Sequence, residues 1–349
     1  MKRKTLYFTA PRRVELREET LPAPGADDVL VETICSAISA GTEMLVYRGE
    51  FPHLVDAHDN LSSDLHYPLT YGYACAGVIR DAGKDADKSL IGKLVFGFKP
   101  HTTAFVCDPS SLIFVPASIP AKACSFLPGM ETAVNLIQDA APILGERVLV
   151  LGQGVVGLLV ASLLKEFPLE TLVTSDCYEL RRRASLDIGV HDSFQPEIIE
   201  KNPEQHFSLQ QFSKHSTLQS AYAQNKFDLT FELTGSPSAL DEAIALTCFS
   251  GRIVIGSWYG QKRATVDLGG AFHRSRIKLI SSQVSTIAPE LSGRWDKPRR
   301  FEVAWDALKR IQPQKWITHH FPIAEADKAY QLLDENPHET IQVVFDYSI

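Results

Sequence analysis

Residues 147–157 read Arg147-Val148-Leu149-Val150-Leu151-Gly152-Gln153-Gly154-Val155-Val156-Gly157, an apolar run broken by three glycines at the spacing G-x-G-x-x-G and followed by more apolar residues. The run before the glycines reads as a buried strand, and the segment after them, 155–167, as a helix that opens directly out of the turn. Such a turn has a physical use. Gly152 permits the tight bend, Gly154 lets a diphosphate approach the backbone, and Gly157 lets the helix pack closely. The first N–H groups of the helix, those of Val155 and Val156 among them, then face the phosphates with the positive end of the helix dipole. Gln153 lies within the same turn and is expected to contact the cofactor with it. Asp176 stands 19 residues beyond Gly157, at the end of the next expected strand (171–175), where a carboxylate can accept hydrogen bonds from a ribose diol. A carboxylate there favours NAD(H). The neighbouring Arg181-Arg182-Arg183 leaves NADP(H) open, with Arg181 the residue best placed for an adenosine contact.

Working outward, helix and strand alternate from about residue 124. Helices are expected at 131–140, 179–188 and 238–247, and strands at 228–233, 251–256 and 278–282, which calls for a parallel sheet covered on both faces. Upstream, short apolar or alternating runs at 29–34, 76–80, 93–98 and 111–115 are separated by Pro, Gly and Asp turns, as in a compact antiparallel β domain. The expected division is 124–286 for an α/β dinucleotide-binding domain and 1–123 with 287–349 for a discontinuous β-rich domain. The latter closes through helices at 301–310 and 325–333 and a strand at 340–347.

Composition narrows the function classes. The 349 residues are 44% hydrophobic and 22% charged, with a formal charge of −7, so a folded globular protein is expected and nucleic acid is a poor partner. No apolar run has the length of a membrane span and no secretory leader is visible, so the expectation is a cytoplasmic protein acting on a small molecule. The cysteines at 35, 75, 107, 124, 177 and 248 form no C-x-x-C pair, which suggests neither a zinc knuckle nor a disulfide framework.

With this layout the chain resembles the medium-chain dehydrogenase/reductase superfamily over nearly its whole length. The matching residues are Gly41-Thr42-Glu43, Tyr71-Gly72-Tyr73-Ala74-Cys75-Ala76-Gly77-Val78, Glu131-Thr132-Ala133, the glycine turn, Asp176 with Arg181, and Glu232-Leu233-Thr234-Gly235. The stretches 36–50, 272–276 and 281–285 are most similar to the bacteriochlorophyllide hydroxyethyl dehydrogenase group. The resemblance implies a GroES-like β-rich catalytic domain, a Rossmann doubly wound cofactor domain, hydride transfer and a homodimer, paired through the edge strand at 278–282. It also implies that Thr234 and Gly235 border the nicotinamide ribose, and that Ser257 and Trp258 stand near the nicotinamide ring.

The departures from that family are informative. Where its alcohol dehydrogenases hold zinc with Cys, His and Cys, this chain aligns Ala40, Tyr73 and Pro128, so no zinc is expected. A site rebuilt from His53, His58, Asp59, Asp64 and His66, in a lid-like loop, is the competing possibility. Without a metal, the charge that develops on a carbonyl oxygen needs a proton or hydrogen-bond donor. Tyr73, at the metal-ligand position, Thr42, at a hydroxyl-relay position, Glu43 and His101 are the candidates. Trp258 with Tyr259 could stack on a flat substrate. The basic stretches 273–276 and Arg294-Trp295 with Arg299 and Arg300 could hold an anionic one. Reduction of a conjugated double bond, or dinucleotide binding without catalysis, remain the alternative functions.

Overall fold

In the computed structural model, residues 1–51, 66–196 and 226–347 are described here. They divide into two units, Met1–Glu131 with Phe301–Ile349, and Thr132–Arg300.

The second unit is built on a parallel sheet in the order Asp192–Phe194, Thr171–Ser175, Arg147–Leu151, Phe227–Glu232, Thr247–Ile255, Lys278–Ser281. Val148 to Leu151 are at most 1% exposed, which is why this strand carries no polar alternation: it is covered on both faces. The helix Val155–Leu164 is buried from Gly157 onward and returns the chain to Thr171–Ser175. Chain order then reverses, because the later strand Phe227–Glu232 pairs on the other side of Arg147–Leu151. The crevice at such a reversal, beyond the carboxyl ends of the strands, is where sheets of this kind bind ligands. The glycine turn sits there.

The first unit pairs the hairpin Lys2–Ala10/Arg13–Thr20 with a larger sheet ordered Ile317–Pro322, Gln342–Asp346, Val29–Ala37, Cys75–Ala82, Leu94–Gly97, Ile113–Phe114. Ala104–Cys107 also pairs with Val29–Ala37. The sheet is mixed, not purely antiparallel, because Ile317–Pro322 runs parallel to Gln342–Asp346. Phe8, Met44, Tyr330 and Phe345 belong to its main apolar cluster. Each such side chain contributes about 1.5–3 kcal/mol by leaving water.

The unit boundaries lie 8 and 14 residues beyond those expected from sequence, at 131/132 against 123/124 and at 300/301 against 286/287. Arg300 explains the second difference. It is fully buried and donates to Asn135 Oδ1 at 2.5 Å, to Thr286 O at 3.1 Å and to Val284 O, which fastens the charged stretch before it to the α/β unit. Helix Lys297–Ile311 starts four residues earlier than the apolar pattern suggests, since Asp296 Oδ1 caps the N–H of Arg299 at 2.8 Å. Among the described residues no helix is long and apolar enough to cross a membrane.

Candidate active site

In the α/β unit the three glycines meet different surroundings. Gly152 has φ +90°, and a Cβ there would lie 2.6 Å from Leu233 O; a Cβ on Gly157 would lie 1.9 Å from Gly152 O. Both positions exclude any side chain. Gly154 has an ordinary φ of −66°, and a Cβ there would meet nothing within 4 Å. Its bareness serves no internal packing and leaves room at the helix start. The first helical bond runs from Leu158 N to Gly154 O at 3.0 Å, so the N–H groups of Val155, Val156 and Gly157 have no acceptor within the helix.

Asp176 is 7% exposed. Its Oδ2 accepts from Gln153 N at 2.7 Å and its Oδ1 from Tyr178 N at 2.8 Å, and each oxygen keeps a second lone pair. Gln153 therefore departs from the sequence expectation. Its backbone N–H is committed to Asp176, and its fully buried side chain turns inward, donating to Val150 O and Gly152 O at 3.2 and 3.0 Å. Of the three arginines, Arg182 donates to Asp176 O and Cys177 O and Arg183 pairs with Glu179, while Arg181 lies over the Tyr178 ring at 4.9 Å.

At the ends of the next two strands, Glu232 forms a hub that the sequence reading missed. It is fully buried and accepts from Thr234 N at 2.8 Å, Thr234 Oγ1 at 2.5 Å and Tyr259 OH at 2.5 Å. Ser257 Oγ accepts from Gly235 N at 2.8 Å, which joins the two loops. Burial, then the Glu232 carboxylate, pushes the Tyr259 phenol far up, so it stays protonated. Tyr259 is thus spent inward, and the expected aromatic pair reduces to Trp258, 42% exposed. A carboxylate closing the apolar strand Phe227–Glu232 was the available signal. Gly152, Gly154, Val155, Val156, Gly157, Asp176, Thr234, Gly235, Ser257 and Trp258 all gather at the carboxyl edge of one sheet.

The β-rich unit carries a second constellation. Thr42 occupies the N-cap position of the short helix Glu43–Arg48 without a side-chain capping bond, and Glu43 Oε1 accepts from Ser39 N at 2.8 Å. Tyr73 OH donates to Ser39 Oγ at 2.5 Å and lies 3.5 Å from Thr42 Oγ1. All three hydroxyl residues are partly exposed. Burial raises the Tyr73 phenol, and the Ser39 and Thr42 hydrogen bonds only partly offset it, so at neutral pH it carries its proton. Ser39, absent from the sequence candidates, is the residue Tyr73 bonds most closely.

Behind them lies a closed polar knot. His101 Nε2 meets Glu43 Oε2 at 2.8 Å and His101 Nδ1 meets Ser36 Oγ at 2.6 Å; Ser36 Oγ meets Tyr347 OH at 2.8 Å, and Tyr330 OH donates to Glu43 Oε2 at 2.7 Å. His101 and Glu43 are both 0% exposed. Direct proton transfer from either was the expectation; in the structure each is enclosed and already bonded, Glu43 Oε1 holding Ser39 N and His101 reaching it only through Glu43. Glu43 partners a histidine and a tyrosine.

The positions that the resemblance aligns with zinc ligands carry few donor atoms. Ala40 and Pro128 offer no ligand atom, the Tyr73 hydroxyl is bonded to Ser39, and among the described residues no three His, Cys, Asp or Glu side chains converge. Of the rebuilt metal site, His53, His58, Asp59 and Asp64 lie outside the described residues, and His66 is exposed. The two basic stretches do not serve the crevice as expected. Arg300 is buried in structure, Arg299 stacks on Trp295 at 4.2 Å, and the 273–276 stretch leads into the amino end of Lys278–Ser281, at the opposite edge of the sheet.

A switch-point crevice with a glycine turn, joined in one chain to a β-rich unit, is the two-domain fold shared with alcohol dehydrogenases. No family model matches the chain. It is 22% identical over 379 residues to the 2-desacetyl-2-hydroxyethyl bacteriochlorophyllide A dehydrogenase of Cereibacter sphaeroides, covering 99% of both chains. Among solved structures it is similar to an Escherichia coli CFT073 protein described as a short chain alcohol dehydrogenase and complexed with NADH (18% identity, TM-score 0.75, 99% of both chains). A Sinorhizobium meliloti dehydrogenase bound to NADP, classed provisionally as zinc-binding, is 16% identical with a TM-score of 0.74, again over 99% of both. The fold is that of the medium-chain alcohol dehydrogenases, as the sequence resemblance implied.

Proposed function

We propose that this chain is a zinc-independent oxidoreductase that uses NAD(H) to interconvert an alcohol and a carbonyl on a small molecule. The observation that carries this reading is the open space at Gly154, beside helix-start N–H groups and a carboxylate that keeps free lone pairs. Val155, Val156 and Gly157 would bind the diphosphate through their backbone, and Asp176 would take the ribose diol. Asp176 also favours a free 2′-hydroxyl over a 2′-phosphate, although relatives with either cofactor are known. Bound nicotinamide supplies hydride transfer at carbon.

The chain's own part is the proton at oxygen. Tyr73 holds a phenol that burial keeps protonated and that Ser39 orients, with Thr42 beside it. Zinc independence is supported by the poverty of ligand atoms at Ala40, Tyr73 and Pro128. The strand Lys278–Ser281 ends the sheet on one side, and its outer edge suits pairing with a second copy as a homodimer.

Titration calorimetry with NAD+, NADH and NADPH tests the reading. We expect NADH to bind more tightly than NADPH, and Asp176→Gly to weaken NADH at least about tenfold, the loss of a charge-assisted hydrogen bond. Absence of heat with every nucleotide would remove the redox assignment. Tyr73→Phe should lower turnover about a hundredfold with NADH affinity unchanged. One equivalent of tightly held zinc by elemental analysis would overturn the metal-free mechanism.

A further inference from the structure

A concavity of about 470 Å³ opens at the amino edge of the α/β sheet, lined by Ser250, Phe272, His273, Arg276, Ile277 and Lys278. Ser250 lies early in Thr247–Ile255 and Lys278 begins Lys278–Ser281, so this edge is opposite the glycine turn. The lining holds two permanent cations and an imidazole and no carboxylate. Among the described residues, the side chains of His273, Arg276 and Lys278 bond to no acceptor. Many other cations of this acidic chain do, as in Arg3–Glu19, Arg80–Glu32 and Arg252–Glu146. All three side chains are exposed, so water screens their mutual repulsion, and an anion entering the hollow would meet positive charge from several sides.

The backbone adds a second observation. Arg276 and Ser250 both adopt left-handed φ, +53° and +58°, a conformation that glycine takes without strain and other residues take at a cost. The two turns are tied by Ser250 N donating to Ser275 O at 2.7 Å. Arg276 closes a turn through its N–H to His273 O at 3.3 Å, a position where helix ends favour glycine. An arginine kept there puts its guanidinium on the rim of the hollow. Phe272 and buried Ile277 supply an apolar wall beside the cations.

We propose that this hollow is a second ligand site, separate from the dinucleotide crevice, which binds a small organic phosphate monoester: phosphate on Arg276, Lys278 and His273, organic part against Phe272 and Ile277. Guanidinium and ammonium donors suit a phosphate dianion, and the volume falls in the range of small-molecule sites. The site stands on its own, whatever the redox reading of the opposite edge.

Titration calorimetry of the full chain with phenyl phosphate and with inorganic phosphate tests it. Saturable binding is expected for both, tighter for phenyl phosphate and weakened by added salt. The double variant R276Q/K278Q should lose at least about tenfold in phenyl phosphate affinity while NADH affinity stays unchanged. Arg276→Gly separates ligand binding from structure: it relieves the left-handed strain, so Tm should hold or rise while phosphate affinity falls. No saturable heat at about 10 mM phenyl phosphate, or affinity indifferent to both variants, would overturn the proposal. So would binding abolished by Gly154→Asp at the other edge. A fall in Tm together with lost binding in Arg276→Gly would make Arg276 a structural residue and remove it from the site.

Discussion

Two carboxylates, Glu43 in the β-rich unit and Asp176 in the α/β unit, are almost fully buried and satisfied in opposite ways. Glu43 accepts from Ser39 N, His101 Nε2 and Tyr330 OH, in a knot whose members come from residues 36 to 347. Among the described residues Asp176 accepts two backbone N–H groups, those of Gln153 and Tyr178, and no side-chain donor, at the carboxyl edge of the sheet. The first arrangement is closed and fixes geometry. The second leaves a lone pair on each oxygen outside the network. Buried polar networks are costly when broken, whereas a binding edge can be altered with little harm to the fold.

The largest effect is expected where the knot is cut. His101→Ala would leave Glu43 and Ser36 each one partner short and open a cavity against Phe345, whose ring lies 5.0 Å from the imidazole. A loss of about 3–5 kcal/mol is expected in denaturant unfolding. A change below about 1 kcal/mol would mean that water replaces the imidazole and that the knot is not the closed structure described.

How much could be read from the sequence follows the same contrast. The glycine turn, its flanking strand and helix, and Asp176 are local features within 30 residues, so spacing alone exposes them. The reversal of strand order places them at one edge with Thr234 and Ser257. The knot is different. Ser36, Glu43, His101, Tyr330 and Tyr347 are scattered over the chain, and nothing in their local context marks them as neighbours. Read singly, His101 and Glu43 are candidate proton carriers, and their burial and mutual hydrogen bond are visible only in the fold. Arg300 misled for the same reason: a run of charges suggests solvent, and its guanidinium instead finds three acceptors inside the unit.

Two glycine variants sharpen the open half of the comparison. Gly157→Ala would drive a Cβ to 1.9 Å from Gly152 O, and we expect about 1–3 kcal/mol of destabilisation together with loss of NADH binding. Gly154→Ala meets no atom within 4 Å at an unstrained φ, so stability should change by less than about 0.5 kcal/mol while NADH affinity falls about tenfold. Calorimetry and thermal unfolding on the same samples separate the two. Should Gly154→Ala bind NADH as tightly as the parent, the vacant space would belong to something other than the diphosphate.

The smallest effect belongs to a third carboxylate, which has neither Glu43's partners nor Asp176's. Glu242, in the first turn of Ala239–Leu246, makes no side-chain hydrogen bond among the described residues, and burial pushes it up to about 7. Its neutral form is the one the fold prefers, so the folded state holds a proton that the unfolded chain has already released. Stability therefore falls as pH rises from about 4.5 to about 7 and stays reduced above that. Glu242→Gln keeps the shape of the protonated acid. It should match the parent below about pH 4.5 and exceed it by about 1 kcal/mol at pH 8, allowing for partial solvent screening. Unfolding curves at both pH values decide it. An equal gain at both would trace the effect to helix propensity, and no gain at pH 8 would show that Glu242 ionises as freely inside the fold as outside it.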